Sequence, residues 1–138
     1  MIYSRTDRLY TFASIHVAEL AYKIRPRLWT IFDKLETYCI DNCTHAKITS
    51  TWRKKTTDSG IHELGRAIDV VPVDPLRFHI CERIRDLINW QFPYNDDFDT
   101  CLWHNAGSGY HWHIQITDEY TEVDTAQAIV DSSVGKGV

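Results

Sequence analysis

Cys101-Leu102-Trp103-His104 and Tyr110-His111-Trp112-His113-Ile114-Gln115-Ile116 flank the loop Asn105-Ala106-Gly107-Ser108-Gly109. Two runs rich in aromatic and β-branched residues around a Gly-containing loop predict a β-hairpin. In a strand, residues two apart share a face. His111 and His113 therefore present two imidazoles side by side. Tyr110, Trp112, Ile114 and Ile116 turn the other way, toward a core. A sheet with one polar and one apolar face is completed by helices over the apolar one.

The chain upstream supplies that layer. Residues 66–73 read as a second strand, rich in β-branched residues and closed by Pro72 and Pro75. Pro75 can open a helix with Phe78, Cys81, Ile84, Leu87 and Ile88 on one face, ending by Pro93. Residues 46–52 alternate Ile48, Ser50 and Trp52 against Lys47, Thr49 and Thr51, as a strand does, and the polar run 53–60 is a loop. Before it, Leu28, Ile31, Phe32, Leu35 and Cys39 make a core-facing stripe on a helix that begins at Pro26 and ends at Asn42-Cys43-Thr44. Residues 13–24 read as a first helix with Ser14 as its N-cap. Helices followed by hairpin-linked strands predict an α+β fold, a small antiparallel sheet covered by helices. Residues 1–120 make one domain, and residues 121–138, with no apolar periodicity, are expected to be a mobile tail.

Composition narrows the function. With 138 residues, 43% hydrophobic and 25% charged, the chain is long enough for a core and is not disordered. Its 15 Lys+Arg against 19 Asp+Glu, a formal charge of -4, exclude a non-specific nucleic-acid binder. No apolar run approaches the roughly 20 residues of a membrane span, so membrane insertion is not expected. The N-terminal Met1-Ile2-Tyr3-Ser4-Arg5 has no apolar run behind it, which predicts synthesis in a cytoplasm without a signal peptide. Cys39, Cys43, Cys81 and Cys101 are expected to be reduced and mostly buried.

Two histidine patterns carry the chemistry. Two imidazoles on one strand face can both bind a divalent metal, or one can bind while the other acts on substrate. Upstream stands His62-Glu63-Leu64-Gly65-Arg66-Ala67-Ile68-Asp69. Asp69 lies among β-branched residues, where a carboxylate is costly to bury unless a metal ion or an arginine takes its charge. Ala67, on the same face, leaves room beside it. His62, Asp69 and His113 would form a two-His, one-Asp set with a fourth tetrahedral position for water, as in catalytic zinc sites. The helical His-Glu-x-x-His motif is excluded, because position 66 is Arg.

Residues 48–53, the run Ser59-Gly60-Ile61-His62 through Asp69-Val70, and His111-Trp112-His113-Ile114 resemble the zinc peptidoglycan peptidases. These are the D-Ala-D-Ala carboxypeptidases and L-alanyl-D-glutamate endopeptidases, a group with many phage endolysins. They share a core with lysostaphin-type enzymes and the hedgehog signalling domain. The resemblance implies one Zn2+ held by His62, Asp69 and His113, with His111 beside it to stabilise the tetrahedral intermediate or shuttle a proton. It implies Arg53 as the holder of a substrate carboxylate and Ser59 as an orienting residue. It implies hydrolysis of stem peptides by a monomer, or by a component of a virion. The chain departs from the pattern twice. Gly60 stands where the family serine sits, two before the histidine. Many members place an acidic base three residues before the last zinc histidine, where this chain has Tyr110; counting from His111 gives Ser108. The acid-base role then falls to His111, with His104 as second candidate. His104 itself, like His16, His45 and His79, reads first as an ordinary surface or core residue.

Three functional expectations follow. The first is a zinc peptidase of the cell wall, a lysis enzyme or a virion component. The second is a zinc-binding module on the same fold that has lost catalysis. The third is an enzyme in which the two patterns never meet.

Overall fold

A computed structural model of the chain describes residues 2–5, 8–53, 61–62, 64–94, 98–105, 107 and 109–117. The elements run β1 (Ile2–Arg5), β2 (Arg8–Phe12), α1 (Ile15–Glu19), a 3-10 turn (Ala21–Lys23), α2 (Pro26–Asp41), β3 (Ala46–Ser50), β4 (Ala67–Pro72), α3 (Phe78–Gln91), β5 (Cys101–Asn105) and β6 (Tyr110–Gln115). The strands form one sheet in the order β1-β2-β3-β4-β6-β5. The fold is α+β, as the order of elements predicts.

The sheet is mixed rather than antiparallel. β2 pairs with β3 in parallel, whereas every other neighbour is antiparallel. The N-terminal hairpin is an addition to the sequence reading. Tyr10 and Phe12, two apart on β2, are buried against α2. Tyr10 stacks on Trp29 with ring centroids 5.4 Å apart, and its hydroxyl donates to Asp33 at 2.7 Å. That contact lies 23 residues along the chain, so no local signal announces it.

The expected first helix is broken. Ser14 does cap α1, accepting from the Val17 N–H. The helix stops at Glu19, and a 3-10 turn leads to Ile24 in extended backbone. Pro26 opens α2 as its first residue, and the residues before a proline favour extended over helical backbone. The predicted stripe of α2 is fully realised: Leu28, Ile31, Phe32, Leu35 and Cys39 are all buried. α3 begins three residues after Pro75. Cys81, Ile84 and Ile88 face the core, whereas Phe78 is exposed.

α2 and α3 cover one face of the sheet, over Ile48, Ile68, Val70, Trp112 and Ile114. The Trp112 indole donates to the Cys81 carbonyl at 3.0 Å, and Asn89 exchanges two hydrogen bonds with the backbone of Cys101. These buried polar contacts fix α3 against the hairpin that carries the histidines. Tyr110 is the exception to the expected inward face. It is half-exposed and stacks with Trp103 and Phe78 at the rim. Three cysteines are buried, but Cys43 is exposed, in the left-handed region with φ 64° just after α2. The expected tail, residues 121–138, lies outside the described residues.

Candidate metal centre

The sheet face opposite α2 and α3 gathers the polar residues. Asp69 on β4 and His113 on β6 are direct cross-strand partners, as are His111 and His104 on β6 and β5. Side chains so paired share a face. His113 Nδ1 lies 3.0 Å from Asp69 Oδ1, and His111 Nε2 lies 3.6 Å from the same oxygen. His62 approaches from the turn before β4, its Nε2 3.5 Å from Asp69 Oδ2. Ligand atoms of His62, Asp69 and His113 all lie within 4.8 Å of one another, close enough to bind a metal ion. The two sequence patterns therefore meet.

Local backbone devices put each group in place. Between Ile48 and Ser50 the β3–β4 register shifts, so Ser50 rather than Thr49 stands opposite Asp69. A bulge of this kind re-aims the chain beyond it. There the Thr51 carbonyl accepts from His62 Nδ1 at 3.0 Å, and Arg53 brings its guanidinium to 3.7 Å from Asp69 Oδ2. Gly65 closes the His62 turn. Its N–H donates to the His62 carbonyl, and its own carbonyl accepts from Arg25. Its φ is +71°, and a Cβ there would stand 2.2 Å from the Lys23 carbonyl oxygen. The glycine four residues before Asp69 is thus a requirement of the turn.

The electrostatics favour a cation. Asp69 is only 7% exposed. Burial by itself would raise its pKa, but the hydrogen bond from His113 and the charge of His62 and His113 outweigh it and hold the carboxyl well below the usual carboxylate range. His62 is 1% exposed. Its Nδ1–H is committed to a carbonyl that can only accept, so Nε2 carries the lone pair of the neutral ring. That buried Nε2 makes no hydrogen bond among the described residues. An unpaired buried acceptor beside a buried carboxylate is costly. A divalent cation bound by both removes the cost, so the residues present fit a metal.

The other predicted residues fall as follows. His111 is buried at the edge of the centre, and its Nδ1–H donates to the Gly109 carbonyl at 3.2 Å. His104 packs its ring against His111 and His113; burial first, then those two neighbours, lowers its pKa. Ser59, Gly60, Glu63 and Ser108 lie outside the described residues. His16 and His79 are exposed on α1 and α3, and His45 stands 4.0 Å from Glu36, so none joins the centre. Two partners escaped the sequence reading: the Thr51 carbonyl, and Gln115, whose Oε1 lies 3.1 Å from His113 Nε2. Gln115 alternates with His111 and His113, and that period was the available signal.

No protein-family model matches the chain, and neither a curated protein nor a solved structure does. Among the described residues, no helix is long and apolar enough to cross a membrane.

Proposed function

We propose that the chain is a zinc-dependent peptidase that hydrolyses stem-peptide bonds of bacterial peptidoglycan, of the phage endolysin or virion-associated kind. The observation that carries the reading is the convergence of His62, Asp69 and His113, with His111 beside them. The peptidoglycan substrate rests on the motif resemblance.

In this reading His62, Asp69 and His113 hold the zinc. A zinc ion with an open position supplies Lewis acidity, making water nucleophilic near neutral pH and polarising a carbonyl. His111 does the proton work. Its Nδ1–H is held by the Gly109 carbonyl, so Nε2 aims a lone pair toward the centre. It takes the proton of the attacking water, and as imidazolium returns it to the departing amine. Arg53, on the rim and half-exposed, offers a guanidinium fork to a carboxylate of the substrate. Ser59 keeps its proposed orienting role from the resemblance alone.

A second reading has one specific observation behind it. Tyr110, where an acidic base is expected, points to the rim with Phe78 and Trp103. The described centre offers one carboxylate, Asp69. A zinc-binding module without catalysis would have this composition. Purified peptidoglycan incubated with the zinc-loaded chain separates the two. The peptidase releases new amino termini and stops with chelator; the binding module holds zinc and releases none.

A further inference from the structure

Gln115 stands two residues beyond His113 on the same face of β6, opposite the small, buried Ala67. Its Nε2 donates to the Asp99 carbonyl at 2.8 Å. A carbonyl can only accept, so this contact identifies the amide's nitrogen end and turns Oε1 toward His113 Nε2 at 3.1 Å. An amide oxygen also can only accept. His113 Nε2 must then carry its hydrogen, and the lone pair of the neutral ring lies on Nδ1, which faces Asp69 Oδ1 at 3.0 Å. Nδ1 and a carboxylate oxygen at that distance attract only through a cation held between them, a proton in the metal-free protein or a divalent ion in its place.

We propose that Gln115, anchored by the Asp99 carbonyl, is a positioning residue that sets the tautomer of His113 and makes Nδ1 the atom offered to a divalent cation. The inference rests on the metal-centre reading above and deepens it. Gln115 does for His113 what the Thr51 carbonyl does for His62: each takes the hydrogen of one ring nitrogen and leaves the other for the metal. The two imidazoles consequently use different nitrogens, Nε2 in His62 and Nδ1 in His113. Such outer partners commonly hold about 10–100-fold of metal affinity.

The test uses the full chain and Zn2+ alone, in competition with a chromophoric chelator. Gln115→Leu removes the acceptor and is expected to weaken zinc by about 10–100-fold. Gln115→Glu keeps an acceptor for Nε2–H while giving up the bond to Asp99, and is expected to stay within a few-fold of the parent. A magnetic isotope of cadmium, bound to chain labelled in its imidazole nitrogens, should show scalar coupling to His113 Nδ1 and none to Nε2. Coupling to Nε2 would overturn the proposal while leaving the metal centre intact. So would unchanged zinc affinity in a folded Gln115→Leu, or equal losses in the Leu and Glu variants, which a packing role would give. Should Gln115→Leu fail to fold, the cadmium spectrum of the parent chain decides. No binding of either metal by the parent would overturn the centre itself, and this proposal with it.

Discussion

Asp69 and His113 face each other across the antiparallel pair of β4 and β6, with His113 Nδ1 3.0 Å from Asp69 Oδ1. The pairing sits on the sheet face opposite α2 and α3. Strand register thus brings a carboxylate and an imidazole, 44 residues apart in the chain, into a single centre.

The depressed pKa of Asp69 makes the metal-free protein acid-sensitive. The folded value lies below the unfolded one, so this stabilisation is fully present above the ordinary carboxylate value, about 3.9, and is lost as pH falls below it. Denaturant unfolding with chelator present, for the parent and Asp69→Asn, should show the parent more stable near neutrality. The gap should close as pH drops below about 4. A gap independent of pH would contradict the assignment.

His111 should be separable from metal binding. In the proposed centre the zinc is held by His62, Asp69 and His113, so His111→Gln should keep the fold and the zinc. It should lower stem-peptide hydrolysis by about 10²–10⁴-fold, the usual share of a positioned base. Loss of zinc from this variant would make His111 a ligand instead.

Gly65→Ala tests the turn that aims His62. A non-glycine residue at φ +71° costs on the order of 1–3 kcal/mol, before the clash with the Lys23 carbonyl is relieved. The variant should melt several degrees lower than the parent and bind zinc more weakly, since His62 rides on that turn. An unchanged melting temperature and zinc affinity would show that the turn relaxes freely.

The thiols should divide by burial. Burial pushes Cys39 up to about 12 and Cys81 up to about 11, and it raises Cys101 as well. A raised value keeps each as an unreactive thiol at neutral pH. Alkylation of the folded protein followed by peptide mapping should modify Cys43 and spare the other three. Denaturant should expose all four. Rapid labelling of Cys39 in the folded state would contradict the packing of α2.

Much of this arrangement was legible in the chain itself. The stripe from Leu28 to Cys39 declares α2, because a helix buried on one side repeats every three to four residues. The alternation from Tyr110 to Gln115 declares β6, and with it the shared face of His111 and His113. Asp69 amid Ile68, Val70 and Val71 marks a charge that needs a partner. The N-terminal strands were not legible. Tyr10 and Phe12 find their partners on α2 and β3, and a parallel pairing across two helices leaves no local trace. The orienting acceptor of His62 is a backbone carbonyl, which has no residue identity. The bulge at Ile48–Ser50 that delivers it depends on register with β4, not on any turn residue.

The central claim is that His62, Asp69 and His113 form one metal centre. Metal content of the purified chain by mass spectrometry, beside His113→Ala, tests it most directly. The account predicts one zinc per chain in the parent and its loss from the folded variant, since affinity follows the number and geometry of ligands. A folded parent, never exposed to chelator, that carries no zinc and takes none up would contradict it.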